Sequence, residues 1–170
     1  MQKGDNEHLE GIMGGGYLFL TLWGCVSTYF FIKTLFAADA KLRIKNMEVK
    51  KFEKYYFLCC SWIDLKRNGK DISAYLQQEN INSIAVYGMG DMGIRLCKEL
   101  QNSPVKIKYI IDQDISADTT FAPHKKLSEK LPKVDAIVVT PINSFSKIRD
   151  CLSGITTDKI ISIEEIIYNA

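Results

Sequence analysis

Three glycines in residues 84–93, IAVYGMGDMG, have the spacing of the dinucleotide-binding fingerprint G-x-G-x-x-G, which binds phosphate. In that fingerprint the first glycine allows a tight turn after a strand, and the second lets the backbone approach a phosphate. The third lets the following helix pack closely on the sheet, and the first-turn amides of that helix point at the anion. The sequence therefore predicts a nucleotide phosphate site over Gly88, Met89, Gly90, Asp91, Met92 and Gly93.

Two acidic residues bear on which ligand this site would take. Asp112 follows the second predicted strand, about 20 positions beyond the loop, where a carboxylate accepts hydrogen bonds from ribose hydroxyls. That position favours NAD over NADP; the alternative is that Asp112 only forms a turn with its polar neighbours. Asp91 stands inside the loop, where it is either an ordinary first-turn residue or a cap that occupies the free amides and leaves the loop empty.

A third polar segment follows the predicted strand Ala136–Val139, whose carboxyl end we expect beside the glycine loop. Thr140, Asn143 and Ser144 offer hydroxyl and amide groups suited to phosphate or sugar contacts. Capping of the next helix by Asn143 or Ser144 is the simpler interpretation, because every helix needs partners for its first N–H groups. The predicted cofactor site retains Thr140 and Asn143 beside Asp112 and the loop.

No catalytic constellation and no metal site are predicted. The five cysteines show no C-x-x-C spacing, and the chain has two histidines, one of them the lone His124 in a polar segment. Tyr29 and Lys33 have the Tyr-x-x-x-Lys spacing of short-chain reductases, but they precede the glycine loop and lie in an apolar run, so we treat the pair as fortuitous. We interpret Cys97 as a small core residue.

The elements that would position these residues alternate between strand and helix from residue 81 onward. This alternation predicts an α/β fold, a Rossmann-like doubly wound parallel sheet of four or five strands. The predicted strands are Ser83–Tyr87, Val105–Ile111, Ala136–Val139 and Lys159–Ile163, with a fifth strand possible within Asp114–Phe121. The predicted helices are Met92–Gln101, Lys125–Leu131, Asn143–Leu152 and Glu164–Tyr168.

The N-terminal part has a different character. Residues 12–32 carry no charged side chain and no histidine, and a helix of that length crosses the roughly 30 Å hydrocarbon core of a bilayer. Basic residues then accumulate at Lys33, Lys41, Arg43, Lys45, Lys50, Lys51 and Lys54. Because cytoplasmic flanks are basic, we expect a single-pass protein of the cell membrane with its C-terminal domain in the cytoplasm. The alternatives are a signal peptide, which needs a basic start and a shorter apolar core, and a buried core helix.

Between the apolar run and the sheet, residues 36–67 contain neither Pro nor Gly. An apolar stripe at helical spacing runs through Phe52, Tyr55, Tyr56, Cys59, Trp62 and Ile63. We expect this helix to dock on the following domain; contact with the membrane or with a second copy are the alternatives. Gly69 is expected to end the helix and Asp71 to cap a second one over residues 72–79.

These elements predict four parts: a short extracytoplasmic segment 1–11, a transmembrane helix 12–35, juxtamembrane amphipathic helices over 36–80, and a nucleotide-binding domain 81–170. The net charge of +2 gives no reason to expect nucleic acid as a partner. The juxtamembrane basic residues suit anionic lipid headgroups, at about 1 kcal/mol for each Lys or Arg near the surface.

The stretch from about Phe52 to Tyr168 resembles a group of small bacterial proteins encoded with capsule and other surface-polysaccharide genes. The likeness is carried by Lys51–Tyr56, Trp62–Lys66, Gly69–Leu76, Ile84–Gly93, Tyr109–Asp112, Val134–Ile142 and Ile160–Ile167. The resemblance implies a membrane span followed by a Rossmann-like domain and a context of polysaccharide assembly. More distantly, the domain is similar to the N-terminal domain of bacterial sugar acyltransferases, which implies a nucleotide-sugar ligand.

The resulting functional prediction is a membrane-anchored module that binds NAD or a nucleotide-sugar and serves as an accessory or sensor in envelope polysaccharide biosynthesis. Its expected partners are membrane lipid, a small-molecule nucleotide, and either a second copy of the chain or a polysaccharide-assembly protein. Two alternatives stay open: an NAD-dependent oxidoreductase or epimerase that acts as an oligomer, and a scaffold that binds no ligand.

Overall fold

The computed structural model describes the backbone of residues 4–112 and 120–170, and the side chains from residue 20 onward. The chain divides into two compact units, Met1–Lys50 and Lys51–Ala170. One long helix, α1, extends over Gly4–Arg67 and so belongs to both units. No proline interrupts it, which is consistent with its unbroken course.

In the first unit the surface of α1 is uncovered. Large apolar side chains such as Leu20, Trp23 and Phe31 are each about two-thirds exposed, and none of the described residues between 20 and 50 is buried. By length and composition α1 is apolar enough to cross a membrane. A membrane span and a signal sequence both satisfy these two criteria, so they establish an apolar N-terminal helix and not its orientation.

The second unit begins with the last part of α1, which docks on the domain as expected, through a face that coincides in part with the predicted stripe. Leu58, Trp62 and Leu65 are the buried residues of this part, and Leu58 and Trp62 belong to the same apolar core as the sheet. Tyr55 and Cys59 of the stripe also pack against this core. The predicted stripe was wrong for Phe52 and Ile63, which are 75% and 59% exposed.

The end of α1 follows the sequence prediction. Gly69 has a φ of +72°, the left-handed conformation that closes a helix, and its amide and that of Lys70 donate to carbonyls of the last turn. Asp71 then caps helix α2, Ile72–Gln78, by accepting a hydrogen bond of 2.9 Å from the backbone amide of Ser73.

The rest of the second unit is a parallel sheet with helices on it. The strands are β1 Ser83–Tyr87, β2 Lys106–Ile111, β3 His124–Lys125, β4 Ala136–Val139 and β5 Lys159–Ser162. The helices are α3 Asp91–Leu100, α4 Phe145–Ser153, preceded by a 3-10 turn at Ile142–Ser144, and α5 Ile163–Asn169. All strand pairs are parallel, in the order β3-β2-β1-β4-β5.

Both faces of the sheet are covered, which explains why its central strands read as continuous apolar runs. Successive side chains of β1 point to opposite faces, so Ile84 and Val86 enter one core with α1, α2, α3 and α5. Ala85 enters a second core, on the other face, which includes Leu152 of α4. The sheet thus forms the middle layer of an α/β arrangement.

One predicted helix, Lys125–Leu131, was wrong. The segment starts with strand β3, whose Lys125 pairs with Ile111, and continues through turns rather than a helix. Tertiary pairing with β2 therefore overrode the local helical pattern. This pairing also supplies the fifth strand, which lies after the predicted segment Asp114–Phe121; residues 114–119 of that segment lie outside the described residues.

Candidate functional site

The three central strands end in register at one edge of the sheet. Tyr87, the last residue of β1, lies opposite both Ile111 of β2 and Val139 of β4. The chain crosses from β1 to β2 on one side and reaches β4 on the other, so the connections diverge at this edge, where open parallel sheets bind ligands. The residues that leave the three strands here are Gly88, Asp112 and Thr140, all predicted site residues.

Gly88 is required by the fold itself. Its φ is +93°, and a Cβ there would lie 2.9 Å from the Pro141 ring and 2.9 Å from Thr140 Oγ1. The Thr140 hydroxyl donates a 2.8 Å hydrogen bond to the Gly88 carbonyl, which fixes the turn against β4. Both the backbone conformation and the close contact therefore exclude other residues from this position.

Gly93 is also required by the fold. A Cβ on Gly93 would lie 2.1 Å from the carbonyl oxygen of Gly88, a distance that no packed structure tolerates. Helix α3 therefore sits directly against the turn after β1, which is the close helix–strand packing expected of the last fingerprint glycine.

Gly90 differs from the two glycines that flank it. Its backbone has an ordinary conformation, with φ −67° and ψ −173°, and a Cβ built on it would meet no atom within 4 Å. The residue is exposed and lies directly before the first turn of α3. Neither strain nor packing within the described chain requires a glycine here, and the space beside its Cα is open.

The first turn of α3 has no side-chain cap. Gly90 stands at the N-cap position and has no side chain to offer. Asp91 is exposed, and its carboxylate makes neither a hydrogen bond nor an ion pair with the part of the chain that the structure describes. In the structure, therefore, Asp91 does not cap the free amides. The positive end of the helix dipole faces the open space.

Asp112 contacts the glycine loop directly. Its Oδ2 atom accepts a hydrogen bond from the backbone amide of Met89, so the end of β2 is tied to the loop that follows β1. Tyr87 lies nearby, and its pKa is raised by burial and by the charges of Cys151 and Asp112. The carboxylate thus has a structural contact in addition to the ribose contact that the sequence predicts.

The segment after β4 divides into buried and exposed residues. Thr140 is 3% exposed, and its hydroxyl donates to the carbonyls of Gly88 and Tyr87, so it supports the loop. Asn143 and Ser144 are exposed. Ser144 stands at the N-cap of α4, but its side chain makes no capping hydrogen bond, so the capping contact expected there is absent.

A cavity of about 520 Å³ opens in front of the glycine loop, which is within the range of small-molecule sites. Its walls come from three places: the loop and first turns of α3, the segment after β4, and α1. The lining residues are Phe52, Tyr55, Cys59, Gly90, Asp91, Met92, Arg95, Thr140 and Pro141. The end of α1 therefore covers one side of the predicted phosphate site.

Sequence reasoning missed five of these lining residues as site residues, namely Phe52, Tyr55, Cys59, Arg95 and Pro141. Arg95 could have been found, because it follows Asp91 by four positions and so lies one turn along the same side of α3. The three residues of α1 lie far from the loop in sequence. Only the docking of the helix brings them to the cavity.

The described residues hold no recognisable catalytic or metal-binding cluster. No group of three or more His, Cys, Asp or Glu side chains in that part of the chain is arranged to hold a metal ion. Cys97 is buried in the core, and the Lys33 ammonium lies 5.4 Å from the centre of the Tyr29 ring in the exposed part of α1. Among the described residues, those that line the cavity at the glycine loop include one cationic side chain, Arg95.

Comparison with known proteins gave no family model, no curated protein and no solved structure with a significant match to this chain.

Proposed function

We propose that this chain is a membrane-anchored nucleotide-binding module, with the nucleotide phosphate at the N-terminus of α3. The observation that carries the proposal is Gly90. The fold accounts for Gly88 and Gly93 by strain and packing, but places nothing beside Gly90. A phosphate that approaches the backbone is the physical reason for a residue without a Cβ at that position.

The order of the strands supports the same function. The strand order β3-β2-β1-β4-β5 corresponds to the first five strands of the doubly wound dinucleotide-binding fold, which binds its ligand beside β1. The glycine loop and the uncapped first turn of α3 occur at that place. On this basis we propose that the domain is Rossmann-like.

NAD or a nucleotide-sugar is the proposed ligand. Asp112 lies at the end of β2 and accepts a hydrogen bond from Met89 of the loop, which places its carboxylate next to the proposed phosphate position, where a ribose would follow. Phe52 and Tyr55 line the cavity with aromatic rings, suited to the flat face of a base or a sugar. Arg95 adds a positive charge to the same lining.

We further propose that α1 anchors the module to the cell membrane, with the sheet domain in the cytoplasm. The apolar, uncovered surface of the helix and the basic residues that follow residue 32 support this arrangement. Because the end of α1 is also a wall of the cavity, a bound nucleotide would contact the anchoring helix itself. This contact suits an accessory or sensor protein, and the resemblance described above suggests polysaccharide assembly as its setting.

The test is ligand binding by the full chain in detergent micelles, followed by calorimetry and thermal unfolding. The panel is NAD, NADH, NADP, UDP-glucose and coenzyme A. A ligand present at 100 times its dissociation constant should stabilise the domain by about 2.7 kcal/mol. If none of the panel binds or shifts the unfolding transition, the proposal is wrong and a scaffold without a ligand is the better description.

Gly90→Ala is the informative variant, because it adds one methyl group to the open space. We expect it to weaken binding at least tenfold, about 1.4 kcal/mol, without changing the unliganded domain. Gly154→Ala is the matched control, since a Cβ there would make only an ordinary 3.6 Å contact with the Cys151 carbonyl, on the C-cap of α4. Equal affinities for the two variants would contradict the phosphate position.

The full chain is needed because α1 is part of the folded domain. Leu58 is fully buried and Trp62 is 7% exposed, so a fragment that starts near residue 66 would remove two core side chains and one wall of the cavity. If such a fragment bound no ligand, the cause would be its loss of folding. Asp112→Asn in the full chain keeps an acceptor oxygen but removes the charge, and we expect it to weaken NAD binding; an unchanged affinity would remove Asp112 from the site.

A further inference from the structure

A second cavity, of about 360 Å³, adjoins the cavity at the glycine loop. Cys59 and Arg95 line both cavities, so the two spaces are neighbours along the surface where α1 meets α3. The second cavity has an apolar side formed by Trp62 and Ile63 and a charged side. Its charged lining residues are Lys66, Arg67, Arg95 and Glu99.

One cation and the single acid of this group neutralise each other. Glu99 is largely buried, and its Oε1 atom lies 2.8 Å from the Lys66 ammonium. The other carboxylate oxygen accepts a 2.7 Å hydrogen bond from the Trp62 indole. The Glu99 carboxylate thus holds α1 on α3 through one hydrogen bond and one ion pair, although Oε1 makes no hydrogen bond with the described residues.

Two arginines supply the excess positive charge. Arg67 and Arg95 are exposed, and neither forms an ion pair with a residue in the described parts of the chain. Guanidinium groups stay protonated at all physiological pH values and bind phosphate or carboxylate through two parallel hydrogen bonds. The cavity therefore combines an apolar side with two guanidinium groups that form no ion pair with the described residues. This combination favours an anionic occupant.

We propose that Arg67 and Arg95 bind a second anionic group, a phosphate or a carboxylate, of the ligand whose first phosphate lies at Gly90. This inference rests on the proposed function and narrows its ligand class to nucleotides that carry an acidic group beyond the phosphate at the loop. Nucleotide-sugars with an acidic sugar and nucleotides with an additional phosphate have this chemistry. Arg95 lines both cavities, so it is also within reach of the phosphate at the loop.

The charge of the first cavity agrees with this division. Asp91 and Arg95 line it with opposite charges, so binding at the loop depends on backbone amides and the helix dipole. In the second cavity Arg67 and the shared Arg95 stay positive once Lys66 and Glu99 are paired, and the described lining of this cavity holds no acidic residue besides Glu99. A ligand with one anionic group, bound at the loop, would leave the cations of the second cavity without a partner, whereas a second anionic group would pair with them.

The experiment compares matched ligands that differ in one acidic group, with the full chain in detergent and calorimetry as the readout. UDP-glucuronate against UDP-glucose tests a carboxylate, and coenzyme A against dephospho-coenzyme A tests a phosphate. We expect the acidic member of at least one pair to bind about tenfold more tightly. The pair that shows the difference identifies the anionic group.

Arg67→Gln should abolish the difference within the pair and leave the neutral ligand's affinity within about twofold, because Arg67 lines only the second cavity. Arg95→Gln should weaken both ligands. Lys98→Gln is the matched control, since Lys98 is an exposed cation of α3 that lines neither cavity, and it should change neither affinity.

The outcomes separate the two proposals. If nucleotides bind but each acidic ligand binds no better than its neutral partner, or if Arg67→Gln leaves the difference intact, the second anionic subsite is refuted and the nucleotide site stands. If NAD binds but no ligand in either pair does, the subsite is refuted and the nucleotide site stands; if no member of the whole panel binds either, the proposed function and the subsite fail together.

Discussion

Replacing Gly93 with alanine tests the packing on which the whole site depends. The added Cβ would lie 2.1 Å from the Gly88 carbonyl oxygen, whereas real contacts of this kind do not fall below 3.0 Å. Helix α3 must therefore move away from the β1 turn by about 0.9 Å. The Gly88 carbonyl is a backbone group and the position of a Cβ is fixed by the backbone, so no side-chain rotation can relieve the contact.

The expected cost follows from two opposing effects. Overpacking of this kind costs roughly 1–3 kcal/mol, and the rigid contact places this case near the upper value. Alanine in place of glycine inside a helix returns about 1 kcal/mol. The net destabilisation is then about 2 kcal/mol, which for a unit of about 120 residues lowers the melting temperature by roughly 8 °C.

Thermal unfolding followed by tryptophan fluorescence measures this change, because Trp62 is buried in the core that α3 shares with α1. Gly90→Ala is the matched control on the same loop. Its N-cap position disfavours alanine by roughly 0.5 kcal/mol, and the smaller entropy of the unfolded chain offsets a similar amount, so its melting temperature should change little. If Gly93→Ala melts with the wild-type protein, or Gly90→Ala is the less stable variant, the assignment of packing and ligand roles to these glycines is refuted.

Three further predictions use other parts of the molecule. Trp62→Phe keeps the aromatic packing but removes the indole donor to Glu99, and should lower the unfolding free energy by about 1–3 kcal/mol in denaturant titrations; an unchanged midpoint would contradict the role of that bond. Asp135 has a lowered pKa because backbone and hydroxyl groups donate to it, so its contribution to stability exists above its unfolded-state pKa and is lost as pH falls through the lower folded-state value. Asp135→Asn should therefore lose less stability than the wild-type protein on acidification, and parallel pH profiles would refute this. In intact cells, a membrane-impermeant thiol reagent should label Asp5→Cys but reach the exposed Cys151 only after lysis; the opposite pattern would reverse the proposed orientation.

Several local features could be predicted because they depend on residues close in sequence. Asp71 caps α2, Gly69 ends α1 with a positive φ, and the apolar runs form the strands β1, β2, β4 and β5. Hydrophobic periodicity also predicted a parallel sheet, because strands buried on both faces have few polar residues. The wrong prediction of a helix at Lys125–Leu131 shows the limit of local patterns. Its first residue, Lys125, pairs with β2, a strand whose position the local sequence does not specify.

The sequence predicted the glycine loop and Asp112 as parts of the candidate site, but not the lining residues of α1 and Arg95. Spacing alone identified the glycine loop, but it could not separate Gly90, which the fold leaves open, from Gly93, which the fold requires. It also could not show that Asp112 binds the amide of Met89. These distinctions depend on atoms brought together by the register of three strands.

The sequence by itself determined an apolar N-terminal helix, a glycine loop with G-x-G-x-x-G spacing and an α/β succession of elements, because each follows from spacing within a short window. The tertiary structure decided which face of α1 is buried and made that helix a wall of two cavities. It also brought Arg67 beside Arg95, although the two arginines lie on different helices. Such contacts join residues far apart in the chain, and they are held by the core that Leu58 and Trp62 share with the sheet and by the contacts of Trp62 and Lys66 with Glu99.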